Sequence, residues 1–426
     1  MHYKSSQGVI ASCFLAGLLE IYDFTIFAFL SPILHKNYLS FLSESEALIV
    51  TYALFAVGFL FRPLGSIIFG YIGDKYGRKI SLVLSVSLMG FASLTMFFLP
   101  SYAYIGIASC YIIALVRVVQ GISVGGEYSG AIIYAIEHFD KKKTGLVGAI
   151  IVSGCLMGVM LGRFVGNLLQ NPLLPEYSWR FAFLLGFILS IVGYFIRNKL
   201  TESPEFEKLA LEKTNAKNIP LIEGIKQFPL EMLATTLLIG TNGVNLYFIV
   251  VFFPDYIKTK NNIDISYISL LATIVPALLA PVMGHISDKW NRGKMLLLGI
   301  GLISCYSAFA LPIMLESKST SDVMFLMLGY AILFSIQSGT VNTYTIEVFP
   351  AKCRFSCGAL CYALGMSVIG GTSPMVSALL TQNGDVDNVV YYVLCITILG
   401  FLACVTMLLR EKTIGNIKIK YLKSET

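Results

Sequence analysis

Again and again along this chain, charge gives way to an apolar run long enough to cross a lipid bilayer. A helical span needs about 20 predominantly apolar residues. Twelve such runs lie near 9–31, 47–72, 80–99, 105–135, 144–168, 179–197, 231–255, 265–286, 294–314, 322–347, 355–381 and 388–409. Inside hydrocarbon every backbone polar group must find a partner within the protein, which leaves helices or closed barrels. These runs are too long and too uniformly apolar for barrel strands. The first is also too long for a cleavable signal and contains Glu20 and Asp23, so it is expected to remain as a span. The fold class expected is an all-α membrane protein with twelve transmembrane helices. Charged residues make up 13% of the chain, against roughly 25% in a soluble domain.

The net charge of +6 is explained by its location and not by nucleic acid, which is not an expected partner. Lys4, Lys141 to Lys143, Lys289, Lys352, Arg354 and the tail from Arg410 to Lys423 fall on one side of the spans. Basic residues next to spans stay cytoplasmic, and an even number of spans places both termini there. The turns Pro100 to Tyr104 and Gln382 to Asn388 are short, poor in basic residues and expected outside. Residues 199–230 form a polar, proline-interrupted stretch with short amphipathic helices, read as a cytoplasmic linker. The organisation expected is a six-helix half over 1–198, the linker 199–230, a second six-helix half over 231–410 and a cytoplasmic tail over 411–426.

Repetition supports two related halves. The stretch Arg62-Pro-Leu-Gly-Ser-Ile-Ile-Phe-Gly-Tyr-Ile-Gly-Asp74-Lys-Tyr-Gly77-Arg78-Lys79 packs an acid, a glycine turn and a basic cluster between two apolar runs. A weaker copy is Gly284-His-Ile-Ser-Asp288-Lys-Trp-Asn-Arg292-Gly-Lys294. Asn291 stands there in place of Gly77, and Asn tolerates left-handed backbone better than most residues. Tyr134-Ala-Ile136-Glu137-His-Phe139 is likewise matched by Tyr344-Thr-Ile346-Glu347-Val-Phe349. Two halves related in this way are a transporter architecture, with a substrate site between them near mid-depth.

These stretches, with Glu20-Ile-Tyr-Asp23-Phe24, Gln120-Gly-Ile-Ser-Val-Gly-Gly-Glu127-Tyr128, Trp179-Arg180, Thr201-Glu-Ser-Pro-Glu-Phe206 and Gly370-Gly-Thr-Ser-Pro374, resemble the major facilitator superfamily over nearly the whole chain. Within it they resemble the metabolite:proton symporters, whose members include proline/betaine and α-ketoglutarate carriers. The resemblance implies a pseudo-symmetric major facilitator fold, alternating access and proton coupling. The osmosensing proline/betaine carriers have a long coiled-coil tail. The tail here is short and lacks heptads, so regulation by that device is not expected.

A charge at the bilayer centre costs about 2.5–3.5 kcal/mol on insertion scales, so Glu20, Asp23, Arg62, Arg117, Glu127 and Arg163 are expected to face the bundle interior and mostly to pair. Glu20 and Asp23 share one helical face, and two close carboxylates do not both ionise readily. They are candidates for proton coupling, Asp23 first, with Arg117 and Glu127; a fixed ion pair is the structural alternative. Arg117 opens a polar face continued by Gln120, Val124, Glu127 and Tyr128, and the glycines before Glu127 permit close approach or a bend. Arg117 and Asp23 lie at equal depth, which allows them to pair. Proton-coupled sugar porters are similar in setting an acid on the first span against an arginine on the fourth. Arg163 either snorkels to the surface or binds a second carboxylate. Arg62, preceding a proline, reads as a satisfied structural charge at a bent helix end.

Substrate-binding candidates are Arg117, Arg163, Gln120, Tyr128, Asn242, Asn245, Gln337 and Asn342, with Ser338, Tyr344, Tyr247 and Tyr256 nearby; for the amides, hydrogen bonding between helices is an equal alternative. Asp74 can accept from the N–H groups of a neighbouring helix start, and Arg78 can pair with Glu137. By the repeat, Asp288, Arg292 and Glu347 should do the same, with Arg354 competing. These seven residues are the expected cytoplasmic gate; loop stabilisation by surface charge is the alternative. Cys353, Cys357 and Cys361 share a helix face, but a metal site usually draws ligands from several elements, so no metal or cofactor is expected. His2, His35, His138 and His285 are scattered and no catalytic constellation appears, so the chain is not expected to be an enzyme. The function expected is proton symport of a small carboxylate-bearing metabolite, a proline/betaine-like compound or a dicarboxylate, across the inner (plasma) membrane by a functional monomer. Alternatives are uniport, exchange, or a transport-inactive receptor or sensor.

Overall fold

The structure, a computed structural model, describes residues 3–171, 173–211, 220–261, 266–381 and 386–411, together with 413 and 415. Among these, twelve helices are long and apolar enough to cross a membrane. Spans 1 to 6 are Gln7–Phe29, Ala56–Lys75, Arg78–Phe98, Ala108–His138, Thr144–Leu169 and Arg180–Asn198; spans 7 to 12 are Pro229–Lys260, Ile268–Lys289, Arg292–Glu316, Thr320–Glu347, Arg354–Thr381 and Asp387–Leu409. Two short helices, Pro204–Leu211 and Pro220–Gln227, lie in the polar stretch between the halves. The centre of that stretch, with Glu212, Lys213 and Lys217, falls outside the described residues, as do His2, residues 382–385 and most of the tail beyond Glu411.

Local chemistry explains the irregular helices. The helix leading into span 2 begins at Glu44 under a reciprocal cap from Ser43 and Glu46, then breaks at Phe61. Pro63 has no N–H to continue the ladder and restricts the residue before it, giving the bend anticipated beside Arg62. Span 4 runs unbroken through Gly125 and Gly126, so those glycines serve close approach and not a kink. Spans 7 and 11 each contain a π-helical stretch, Phe248–Phe252 and Leu364–Gly370. Wide turns of this kind mark functional sites in many helices. Gly243 of span 7 lies directly against Gly370 of span 11.

Lipid tails are as apolar as the side chains they face, so helices in a bilayer associate through close packing and not through a hydrophobic drive. Glycine supplies that closeness between spans 2 and 4. A side chain at Gly65 would strike the Ile122 carbonyl, one at Gly121 the Gly58 carbonyl, and one at Gly125 the Arg62 carbonyl. Each half has its own core at the end away from the charged hinges. Tyr22, Phe27, Trp179 and Phe183 build one, and Phe248, Phe253, Tyr330 and Phe334 the other. At the hinge side a shared cluster joins the halves, with Val9, Leu82 and Tyr134 of the first packed with Ile346, Phe355 and Ala359 of the second.

Gly65→Val should therefore destabilise the bundle by about 1–3 kcal/mol through overpacking. Gly301→Ala, whose added methyl would meet only Phe401 at ordinary contact distance, should not. Melting temperatures of the two purified variants in detergent would check this.

Candidate functional site

Two charged assemblies close the hinge side. Asp74, at the end of span 2, accepts hydrogen bonds from the backbone N–H groups of Phe355 (3.3 Å) and Ser356 (2.9 Å) at the start of span 11. Asp288, at the end of span 8, accepts from Gly145 (2.8 Å) and Leu146 (2.9 Å) at the start of span 5. An anion is favoured at a helix start by the unsatisfied N–H groups and the helix dipole. Each acid therefore tethers its own half to a helix of the other. Gly70 and Gly73 lie against Ser356 and Phe355, and Gly145 lies against Ser287 and Asp288, so nothing larger fits at these crossings.

Arg78 is fully buried in the first assembly. It donates to the Gly73 and Ala351 carbonyls, both at 2.6 Å, and pairs with Asp74 and Glu137, both at 3.2 Å. Arg292 mirrors it, pairing with Asp288 at 2.7 Å and with Glu347. Glu347 also accepts from Thr144 of the first half at 2.7 Å. Arg354 does not compete for Glu347 as the repeat suggests. It crosses to Glu137 (3.0 Å) and to Glu205 of the linker. Asn291 does not adopt a left-handed backbone either: at φ −92° it caps span 9 by accepting from the Lys294 N–H at 2.9 Å, whereas Gly77 has φ 122°.

The linker takes part in a way its residue types did not announce. Glu202 accepts from the N–H groups of Arg78 (2.9 Å) and Lys79 (3.1 Å), capping span 3. The Ser203 hydroxyl donates to Glu137 at 2.6 Å. Phe206 lies over the Arg78 guanidinium at 5.3 Å. In sequence these residues read as an exposed polar connection, and only their place beside the hinge gives them a role.

The mid-depth charges do not pair as expected. Glu20, Asp23 and Arg62 are 1%, 0% and 2% exposed, and among the described residues both carboxylates and the Nε and Nη2 atoms of Arg62 have no hydrogen-bond partner. Asp23 lies against Gly186 of span 6 and beside Ser93 of span 3. The Arg117 guanidinium, its expected partner, donates to Gln120 (2.9 Å) and the Leu54 carbonyl (3.3 Å) and lies over Phe24 (4.6 Å) and Phe27 (4.5 Å). Span 1 rotates enough over three residues to separate the two acids. Glu20 looks toward Arg62, Tyr128, Tyr247 and Tyr362, and no shared-proton dyad forms. Glu127 forms an ion pair with Arg197 of span 6 and accepts from Ser85 of span 3. Arg197 was missed because it ends an apolar run and reads as a flanking charge.

Arg62 is not a satisfied structural charge. It lies over Phe24 (4.3 Å) and Phe59 (4.7 Å) with Tyr247 beside it. Phe24 and Phe59 pack edge to face at 4.6 Å, Phe59 meets Tyr247 at 6.0 Å, and Tyr128 meets Tyr362 at 4.7 Å. Asn342 lies in the neighbourhood of the Tyr128 hydroxyl. The result is an aromatic cluster between the halves, built by spans 1, 2, 4, 7, 10 and 11 around one acid and one base, and called the chamber below. Tyr362 was unremarked because an aromatic in an apolar run carries no signal of its own.

The other polar candidates lie elsewhere. Asn245 donates to Gln337 at 2.9 Å and accepts from Tyr330 at 2.9 Å, a link between helices, whereas Asn242 keeps an unpartnered buried oxygen among the described residues. Arg163 reaches across the halves to Ser269 at 3.4 Å. Tyr256 stacks on Phe252. Cys353, Cys357 and Cys361 pack with Phe228 and Phe349 in an apolar cluster.

Twelve spans in two halves, joined at one end by reciprocal contacts, are the architecture of a membrane transporter. The chain belongs to the Major Facilitator Superfamily, whose sequence profile matches residues 13–360 and 235–420. It is 28% identical over 418 residues to the proline/betaine transporter of Salmonella typhimurium, covering 93% of this chain and 82% of that one. The proline/betaine transporter of Escherichia coli is 27% identical over 415 residues, with the same coverage. In fold it is similar to the proton:xylose symporter XylE bound to 6-bromo-6-deoxy-D-glucose, at a TM-score of 0.76 and 17% identity over 96% of both chains. These are transporters and not enzymes.

Removing Asp74 leaves two helix-start N–H groups without their acceptor and takes from the buried Arg78 one of its two carboxylates, Glu137 being the other, a loss of the kind that costs about 1–3 kcal/mol per unsatisfied group. Asp74→Ala should therefore loosen the hinge side. A cysteine placed by Ser356→Cys, buried where Gly70 meets span 11, should react with maleimide at least tenfold faster in that variant than beside an intact Asp74.

Proposed function

We propose that this transporter is a proton-coupled symporter for a small carboxylate-bearing metabolite, either a proline- or betaine-like compound or a dicarboxylate, working by alternating access. The observation that carries the reading is Asp23: a buried carboxylate on span 1 with no hydrogen-bond partner among the described residues and with Ser93 and Arg117 close by. An intramembrane acid in such a place is costly as an anion, so taking up and releasing a proton is what makes it useful. Loss of charge at Asp23 alters the field on Arg117, and through Arg117 the contacts with Gln120 and the Leu54 carbonyl. Relatives named as proline/betaine transporters support the substrate class.

The hinge contacts of Asp74, Arg78, Glu137, Asp288, Arg292, Glu347 and Arg354 act as the gate of the cytoplasmic side. Substrate enters from the opposite side while they hold, and leaves when they part. The basic ends of the spans support a cytoplasmic side for the hinges, the linker and both termini, and the reading is of a monomer in the inner (plasma) membrane. The moving units are the halves 1–198 and 231–410, joined by 199–230 and followed by the tail 411–426.

Uptake into proteoliposomes under an inward proton gradient tests this, with labelled proline, glycine betaine, α-ketoglutarate and citrate. One compound should accumulate, and Asp23→Asn should reduce gradient-driven accumulation at least tenfold while leaving counterflow exchange. Accumulation that survives the substitution would move the proton to Glu20 or Glu127.

A further inference from the structure

The chamber holds an acid and a base that the proton pathway does not use, and both have hydrogen-bonding capacity left over. Glu20 has two buried oxygens without a partner among the described residues, and Arg62 has two buried nitrogens in the same condition. Arg62 and, more weakly, Arg197 are the cations close enough to act on Glu20. The two groups are close enough to feel each other and yet form no ion pair. Buried polar groups are normally satisfied, and an unpaired charge in a low-dielectric interior is costly. Opposite charges held apart among aromatic rings are therefore a built site awaiting something that satisfies both.

The surroundings narrow what that is. The Arg62 guanidinium packs against the adjoining rings of Phe24 and Phe59 and keeps two nitrogens without a partner among the described residues. A carboxylate suits that donor set, since guanidinium and carboxylate match in a planar, two-bond geometry. Glu20 is near Tyr128, Tyr247 and Tyr362. A buried carboxylate among tyrosines suits a cation, which gains from the carboxylate charge and can gain further from the rings. A second carboxylate there would meet Glu20 as a like charge. The other interior arginines are differently engaged: Arg117 with Gln120 and the Leu54 carbonyl, Arg163 with Ser269 and Arg197 with Glu127.

We propose that Arg62 and Glu20 are the two poles of a zwitterion-binding site, with Arg62 taking the substrate carboxylate and Glu20, within the tyrosines, taking its ammonium head. This rests on reading the central chamber as the substrate site, and it sharpens that reading by excluding dicarboxylates. It also separates the two acids of span 1: Glu20 belongs to the substrate and Asp23 to the proton.

The test is equilibrium binding by calorimetry to the purified full-length protein, with no gradient. The ligands are glycine betaine, L-proline and carnitine, against 3,3-dimethylbutyrate, choline and succinate. 3,3-Dimethylbutyrate has the shape and carboxylate of glycine betaine without the positive nitrogen, and choline keeps the nitrogen without the carboxylate. At least one zwitterion should bind the wild-type protein, at least tenfold more tightly than each of the last three. Glu20→Gln should shrink the gap between the best zwitterion and 3,3-dimethylbutyrate to less than threefold, and Arg62→Gln should do the same for the gap to choline. These ratios are measured within each variant, so a general loss of folded protein does not mimic them, and the wild-type series needs no substitution. Binding by none of the zwitterions, succinate binding as tightly as they do, or gaps unchanged in both variants would overturn the proposal. Proton-driven uptake of succinate would sink it and leave symport standing. Zwitterion binding that depends on both residues without proton-driven accumulation would sink symport and leave this site standing.

Discussion

A carboxylate set against the open start of a helix is the contact on which the rest of this structure leans. It occurs twice, with Asp74 on span 11 and Asp288 on span 5, and each time the acid and the helix belong to different halves. A helix start is a fixed array of donors that costs no side-chain ordering to present, so the join is stiff and directional. It is also breakable in one step, because everything depends on the angle at which the helix meets the acid. Arg78 and Arg292 then fix each acid from its own side, and Glu137 and Glu347 fix the arginines. The halves share apolar core at this end and have separate cores at the other. That asymmetry suits a molecule that rocks about a central chamber.

The two assemblies are related but unequal. Arg78 is completely enclosed, and the linker adds Glu202, Ser203 and Phe206 around it. Arg292 is partly open, and its helix is capped by Asn291 in place of a left-handed glycine. Arg354, the residue most tempting to assign within the second copy, instead crosses back to Glu137 and Glu205. The second repeat therefore lends a cation to the first, and the first assembly is the more enclosed of the two.

Much of this was legible in the sequence because it rests on length, sign and repetition. Span number follows from bilayer thickness, and the hinge contacts follow from an acid and an arginine recurring beside Gly77 and Asn291. The mid-depth pairing was not legible, because it depends on rotation about helix axes that no spacing rule fixes between helices. Glu20 and Asp23 are three residues apart, yet one looks to spans 2, 4, 7 and 11 and the other to spans 3 and 6. Asp23 and Arg117 match in depth and still do not bond. Arg62 was underrated for a related reason. Its proline neighbour explained the helix break, and nothing in one dimension says that Phe24 and Tyr247 will gather around the same guanidinium.

Phe24 follows Asp23 in the chain and supports both interior guanidiniums, Arg62 at 4.3 Å and Arg117 at 4.6 Å from its ring centre. Two cations drawing on one quadrupole are not independent: each weakens the other's hold. Whatever pulls one of them from the ring strengthens the seat of the other. A hydrocarbon side chain without a titratable atom thus becomes the shared fulcrum between the surroundings of Asp23 and those of Glu20. Under the proton coupling proposed above, fidelity of energy conversion, meaning how rarely one passenger crosses without its companion, would be a property of that ring. An aliphatic residue in its place would preserve every charge and every hydrogen bond and, under that proposal, still permit slip.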